Sequence, residues 1–178
     1  MLGLGMIPPT VVRKDERSNK PASYTWWVDD VLMVERERYE KKMPAPNPTD
    51  WNRPVFAVRL FAQLIYNFDP NLGNLVIDKD WRIWMIDHTR AFKAFKELRE
   101  EKNLSATCEA DLLARLRTLE KPALREATQD LLTEGQVDGL LGRRDTIVRI
   151  YEQRIAAKGE AGVLYHLPSR LAAVPVAP

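Results

Sequence analysis

Cysteine is almost absent: the 178 residues contain one, Cys108. A disulfide within the chain is excluded, and so is a metal site built on a Cys-x-x-Cys pair. A lone thiol fits a reducing compartment. Long apolar runs are missing as well, since none approaches the roughly 20 residues that a membrane-crossing helix needs. The opening MLGLGMIPPTVVRK has neither the basic nor the apolar segment of a secretory leader. Charge of one sign is scarce: 27 Lys and Arg against 25 Asp and Glu leave +2. That is too little to argue for nucleic acid or an anionic membrane as a partner. No internal repeat is evident. The expectation is a cytoplasmic protein with no transmembrane segment and no nucleic-acid partner.

What the chain does contain is ordinary core material. It is 45% hydrophobic and 29% charged, with five Trp, the balance of a soluble globular protein. Its length suits one domain, or one domain plus an appendage.

Residues 1 to 34 read as strands and turns. Thr10-Val11-Val12 is β-branched and follows Pro8-Pro9, which disfavours helix. The polar run from Arg13 to Pro21 reads as a loop or hairpin connection. Ser23 to Val28 is the next strand candidate, broken by Asp29-Asp30. Val34 to Lys42 is charged and reads as a short exposed helix. Met43 to Asp50 holds three prolines and reads as a stiff linker. Thr49 or Asp50 can cap a helix that accepts Pro54 in its first turn and runs to about Tyr66. Val55, Val58, Phe61, Leu64 and Ile65 would face its core.

Leu75 to Ile77 and Trp81 to Ile86 flank a polar turn and read as a hairpin. On period two, Trp81 and Trp84 fall on opposite faces, and one of them is expected in the core. Ala91 onward returns to helix. Apolar stripes run over Glu109 to Leu119, Pro122 to Leu132 and Arg143 to Lys158, with a short turn at Val137 to Leu141. The Ala- and Pro-rich tail from Pro168 is expected to be loose. His166 and Cys108 receive no role.

The chemistry concentrates in LIYNFDPNLGNLVIDKDWRIWMIDHTRAF. Three readings compete for Asp69, Asn71, Asn74, Asp78, Asp80 and Asp87. The first is turn chemistry, since Asp, Asn, Gly and Pro accept local backbone hydrogen bonds and left-handed geometry. The second is a calcium loop counted from Asp69. It would put Gly73 at position 5, Asn74 at position 6 and Asp80 at position 12, against the residue types that such a loop requires. The third is phosphoryl transfer, which needs a carboxylate near the attacking hydroxyl and oxygen ligands for Mg²⁺. Asn74 follows Asp69 by five, the D-x-x-x-x-N spacing of a kinase catalytic loop, and a second Asp lies downstream at Asp87. His88 and Arg90 flank that carboxylate. A structural histidine and a salt-bridge arginine are the plainer readings of the two.

YNFDPNLGNLVID followed by WMIDHTRAF resembles the catalytic and metal-binding segments of the phosphatidylinositol 3/4-kinase-like superfamily of atypical kinases, bacterial members in particular. LGLGMIPPTVVR and WWVDD are similar to the strands before and at the hinge of those proteins. The resemblance covers roughly residues 2 to 95. It implies an α+β, protein-kinase-like fold: a remnant of the β-rich N-lobe and hinge over 1–43, a linker over 44–50, a mostly helical C-lobe over 51–167 and a tail over 168–178. It implies ATP and Mg²⁺ as cofactors, with Asp69 as catalytic base, Asn74 and Asp87 as metal ligands, and Trp27, Val28 and Asp29 near the adenine. The phosphoryl acceptor (protein, lipid or small molecule) is left open. Such proteins commonly place Arg or a similar polar residue directly after the catalytic Asp, where this chain has Pro70. Their Gly-rich loop and phosphate-pairing lysine are expected upstream of residue 1, so the chain is expected to be N-terminally incomplete and weakly active or inactive. The alternatives are a non-catalytic pseudokinase and a helical interaction module, the latter leaving Asp69, Asn74 and Asp87 far apart.

Overall fold

A computed structural model describes residues 1–168; the expected loose tail falls almost wholly on 169–178, outside them. The chain is α+β and divides into two compact units. One comprises Gly5–Ala45 and Asn71–Asp87. The other comprises Met1–Leu4, Pro46–Pro70 and the chain from His88 onward.

The first unit is mostly strand. β1 (Thr10–Lys14) and β2 (Pro21–Thr25) form an antiparallel hairpin registered Thr10↔Thr25 to Lys14↔Pro21. The hairpin has no buried face. Past it, Trp26 and Trp27 are 63% and 80% exposed. β3 (Val31–Val34), β4 (Leu75–Asp78) and β5 (Ile83–Met85) make an antiparallel sheet in the order β3-β4-β5. Met33, Val76, Ile77, Ile83 and Met85 are its buried apolar residues, joined by Met6. The Met6 carbonyl accepts a hydrogen bond from the Met85 amide at 2.7 Å, extending the sheet past β5. α1 (Glu35–Glu40) follows β3 directly. It is not a wholly exposed helix, because Glu35 is buried in a two-pronged pair with Arg38 (2.6 and 2.7 Å).

The hairpin β4–β5 was expected within the helical lobe, but it belongs to this first unit. The reason is pairing: β4 is the centre strand between β3 and β5, so its buried face completes the sheet begun at Val31.

The second unit is helical. α2 (Pro48–Leu64) starts earlier than expected, because Asn47 rather than Thr49 or Asp50 is the cap. The Asn47 side chain accepts from the Thr49 and Asp50 amides. Pro48 then takes the first-turn position that suits proline, and Pro54 stands inside the helix. The expected linker over 44–50 is thus partly helix. Val58, Leu64 and Ile65 are buried, while Phe61 and Val55 are half-buried and Leu60 takes the core position.

No helix begins at Ala91. The backbone over 88–107 is irregular apart from a single 3-10 turn at Glu101–Asn103. Phe92 is left-handed (φ 58°), and the Lys93 and Phe95 carbonyls are taken by a side chain from α5, so a helical ladder cannot propagate there. β6 (Cys108–Glu109) pairs in parallel with β7 (Leu164–Tyr165). α3 (Ala110–Arg117) and α4 (Lys121–Thr128) lie between them in sequence.

α5 (Glu134–Lys158) absorbs the turn expected at Val137 to Leu141 and starts nine residues before Arg143. A capping box fixes its start: the Gln136 amide donates to Thr133 Oγ1, and the Thr133 amide donates to Gln136 Oε1. Gly159, left-handed at φ 73°, ends it. The core of this unit joins Leu60 and Leu64 of α2, Leu112, Leu113 and Leu116 of α3, and Leu140, Ile147 and Tyr151 of α5.

Cys108 is part of that core at 1% exposure, and burial pushes its thiol up to about 12. Burial also pushes up the Tyr151 and Tyr165 phenols. Their hydroxyls donate to the Ser105 and Arg53 carbonyls. In all three groups the folded protein resists losing the proton. Their stabilising contribution is therefore complete below the ordinary thiol value of 9.0 and is lost as pH climbs toward 12. The expected outcome is a urea midpoint that holds at neutral pH and falls steadily above about pH 9. At pH 8 a thiol reagent should label Cys108 only after unfolding; labelling of the folded chain at a free-thiol rate would contradict the burial.

Candidate functional site

The hairpin β4–β5 brings two of the expected residues together. Asn71 Oδ1 accepts from the Gly73 amide at 2.8 Å and from Arg36 Nη2, which fixes the 3-10 turn Leu72–Asn74. The Asn74 amide closes that turn on the Asn71 carbonyl (2.9 Å). β4 and β5 then run in the register Leu75↔Met85, and the Ile86 amide donates to the Asn74 carbonyl at 3.0 Å. Asn74 and Asp87 therefore occupy the same end of the hairpin. Asp87 is exposed and held at φ 55°. Left-handed backbone is tolerated by Asp but costs energy, and such strain clusters where function requires it.

The opposite end of the hairpin is turn chemistry. Asp78 is 2% exposed and accepts four hydrogen bonds. Oδ1 takes the Asp80 and Arg82 amides (3.0 and 2.9 Å), and Oδ2 takes Arg82 Nε and Trp84 Nε1 (2.8 and 2.9 Å). Asp80 pairs with Arg82 at 2.8 Å. For Asp78 and Asp80 the local-turn reading accounts for the side-chain contacts described, and for Asn71 it accounts for all but the bond from Arg36. A calcium loop is ruled out, because strand β5 stands where the helix leaving position 12 at Asp80 would have to run. Trp84 is half-buried through its bond to Asp78. Trp81 is half-buried at a left-handed turn position (φ 59°) rather than in a strand, so neither tryptophan is in the core.

Trp27, Val28 and Asp29 lie in the connection before β3. Val31 is registered against Asp78, and the Lys79 amide bonds to the Asp30 carbonyl. These three residues therefore approach the Asp78 end of β4, while Asn74 marks its other end. Four strand residues separate the two, about 13 Å of strand.

Asp69 belongs to the helical unit and is built by the end of α2. Helix α2 closes in a Schellman turn: the Tyr66 amide bonds to the Gln63 carbonyl (3.1 Å), and the Asn67 amide to the Ala62 carbonyl (2.8 Å). Tyr66 takes the left-handed position that glycine usually fills (φ 50°). Asn67 Oδ1 then accepts from the Asp69 amide at 3.1 Å. The returning chain pairs with this turn. The Phe92 amide donates to the Ile65 carbonyl (2.6 Å), and the Phe68 amide donates to the Arg90 carbonyl (3.3 Å). Arg90 Nη1 stands 3.6 Å from Asp69 Oδ2, so the arginine reads Asp69. His88 is edge-on to Phe61 with ring centres 5.9 Å apart, as a packed histidine would be.

Arg143 is the residue that sequence reasoning missed. Its side chain is fully buried on α5 and meets no carboxylate among the described residues. Nε donates to the Leu64 carbonyl at the end of α2 (2.7 Å), and Nη1 to the Lys93 carbonyl (3.0 Å) and the Phe95 carbonyl. The guanidinium also sits over the Tyr66 ring, 5.5 Å from its centre. Burial lowers its pKa to about 10, which leaves it a cation at neutral pH. The signal was a cation in the apolar stripe, three residues after Leu140 and four before Ile147.

Among the described residues, Glu109, Asp111 and His166 place their ligand atoms within 4.8 Å of one another. Glu109 is already engaged, capping α3 through the Leu112 amide at 2.5 Å. This group is therefore read as a helix cap with two exposed neighbours. No family model matches the sequence, and no curated protein sequence matches it.

Proposed function

We propose that the chain belongs to an ATP- and Mg²⁺-dependent phosphotransferase of kinase-like fold. Asp69 would act as base toward the acceptor hydroxyl, Asn74 and Asp87 would hold the metal, and Trp27 to Asp29 would meet the adenine. The observation that carries the reading is the Ile86–Asn74 backbone bond. It puts the amide of the D-x-x-x-x-N spacing and the downstream carboxylate at one end of one hairpin. Their donor set is an amide and a carboxylate oxygen, the hard ligands that Mg²⁺ takes while substrate phosphates complete its shell. Bound there, the metal would neutralise charge on the transferred phosphoryl group. The left-handed Asp87 and the ordered turn before Asn74 favour a preset pair of ligands over a chance one. On this reading the adenine contacts and the metal contacts lie at opposite ends of β4, which asks for an extended nucleotide along that strand.

A non-catalytic nucleotide-binding role is the second reading. Lys14 and Lys20, the lysines nearest in sequence to the β1–β2 turn, are both exposed, and neither is poised as a phosphate clamp. Loss of such a stabilising group costs about three orders of magnitude in rate, or ~4 kcal/mol of barrier. Little turnover is expected from this chain alone.

Calorimetry of ATP binding, with and without Mg²⁺, separates the outcomes. The expected result is Mg²⁺-dependent binding weakened at least tenfold by Asp87→Ala. Absent or metal-indifferent binding would remove the phosphotransfer reading. Robust ATP turnover abolished by Asp87→Ala would establish catalysis against the second reading.

A further inference from the structure

Residues 93–96 lie against α5 with no room to spare. A Cβ on Gly139 would come within 2.7 Å of the Ala94 backbone carbon and oxygen, and one on Gly142 within 2.8 Å of Lys96 Cβ. Glycine inside a helix is unfavourable relative to alanine, so these two positions spend helix stability on close approach. Arg143, one residue after Gly142, then takes the Lys93 and Phe95 carbonyls with one nitrogen and the Leu64 carbonyl with another. The same guanidinium thus grips both segments of the pairing described above: the end of α2, and the returning chain over 90–95. Farther along that pairing stand Phe92–Ile65, Phe68–Arg90 and finally Arg90–Asp69.

We propose that Arg143 is a positioning residue: with Gly139 and Gly142 it latches the 93–96 segment onto α5 and thereby sets the turn that presents Asp69 and Arg90. The functional consequence rests on the phosphotransfer reading; the latch itself does not. Several features point beyond simple packing. Arg143 has no carboxylate partner among the described residues. Its Nη2 is buried and unbonded there. An aliphatic side chain would fill the same space without burying a cation. What an aliphatic group cannot do is donate to three carbonyls from two separate segments, which suits the rigid fork of arginine.

Residue-resolved amide exchange on the full chain tests this with two variants. Arg143→Lys keeps the charge and loses the fork. Gly139→Ala keeps Arg143, improves the propensity of α5, and pushes Ala94 away. The amides of Phe68, Asp69 and Phe92 are expected to exchange at least tenfold faster in both variants. Those of α3 and of Ile77 and Met85 in the strand unit should keep their wild-type rates. Unchanged rates at the three reporter amides, or equal acceleration of every core amide, would overturn the latch. If Arg143→Lys does not fold, Gly139→Ala decides by the same criteria. Mg²⁺·ATP titration of the same samples keeps the two readings apart. A wild-type chain that binds no nucleotide removes the phosphotransfer reading, while the exchange pattern still decides the latch.

Discussion

Replacement of Arg143 by leucine is expected to lower stability by about 3 kcal/mol, although leucine is the better core residue by hydropathy. Three carbonyls, Leu64, Lys93 and Phe95, would lose their donor inside the helical unit. The Leu64 bond is buried, whereas those to Lys93 and Phe95 are part-buried, so the roughly 1–3 kcal/mol cost of an unsatisfied buried acceptor applies in full to Leu64 and in part to the other two. Opposing this, leucine removes a cation whose lowered pKa reports its desolvation, and that relief offsets part of the loss. The unbonded Nη2 adds to the relief, since it forms no hydrogen bond that leucine would forfeit. The carbonyl term wins because, among the described residues, no other donor is seen on these carbonyls: the chain over 93–95 is irregular, and Leu64 is the last residue of its helix. A shift in urea midpoint at constant slope measures the difference. A midpoint at or above wild type would mean that the three carbonyls find water or new partners, and that the arginine is dispensable to the fold.

Asp78→Ala is expected to cost a similar amount, about 3 kcal/mol, and to act in the strand unit instead. One carboxylate there satisfies two backbone amides, a guanidinium and an indole N–H. Hydrogen bonds to a charged group contribute roughly 1.5–3 kcal/mol each, but alanine lets water reach Arg82, whose side chain is 40% exposed. The loss concentrates in the Asp80 and Arg82 amides and in Trp84. Asn at position 78 should recover part of the stability, since its carbonyl can replace one oxygen but its amide group repels the donors facing the other. Tryptophan fluorescence reports the effect directly through Trp84. If Asp78→Ala left the unfolding midpoint unmoved, the turn at 78–82 would be held by its backbone alone. Asp78 and Asp87 lie at opposite ends of one hairpin, the first buried and the second exposed in left-handed backbone.

Much of the fold was legible locally. The hairpin β4–β5 and the helix that delivers the chain to Asp69 follow from periodicity and turn residues, and those patterns depend only on near neighbours. Boundaries were misread where a competing cap was nearer. Asn47 outcompetes Thr49 and Asp50 for α2, and Thr133 with Gln136 opens α5 nine residues before Arg143. Both signals were present in the sequence. The helix expected from Ala91 fails for a different reason. Its composition allows helix, but the carbonyls of Lys93 and Phe95 are claimed by Arg143, 50 and 48 residues away. No local pattern encodes that competition.

The sequence by itself determined the inventory: one thiol, no apolar run long enough to cross a membrane, and a D-x-x-x-x-N spacing followed by a second Asp. It also determined that a hairpin must separate Asn74 from Asp87, because alternation and turn chemistry act over a few residues. Tertiary structure alone decided which acidic groups are buried and which are exposed. Asp78 and Glu109 are spent on backbone amides, whereas Asp87 is exposed at the hairpin end. It alone decided that β4 joins β3, and that a buried arginine clamps the turn before Asp69. These outcomes depend on which distant donors and acceptors meet once the core has formed. A buried polar group must find a partner wherever the fold supplies one, and the sequence does not carry that address.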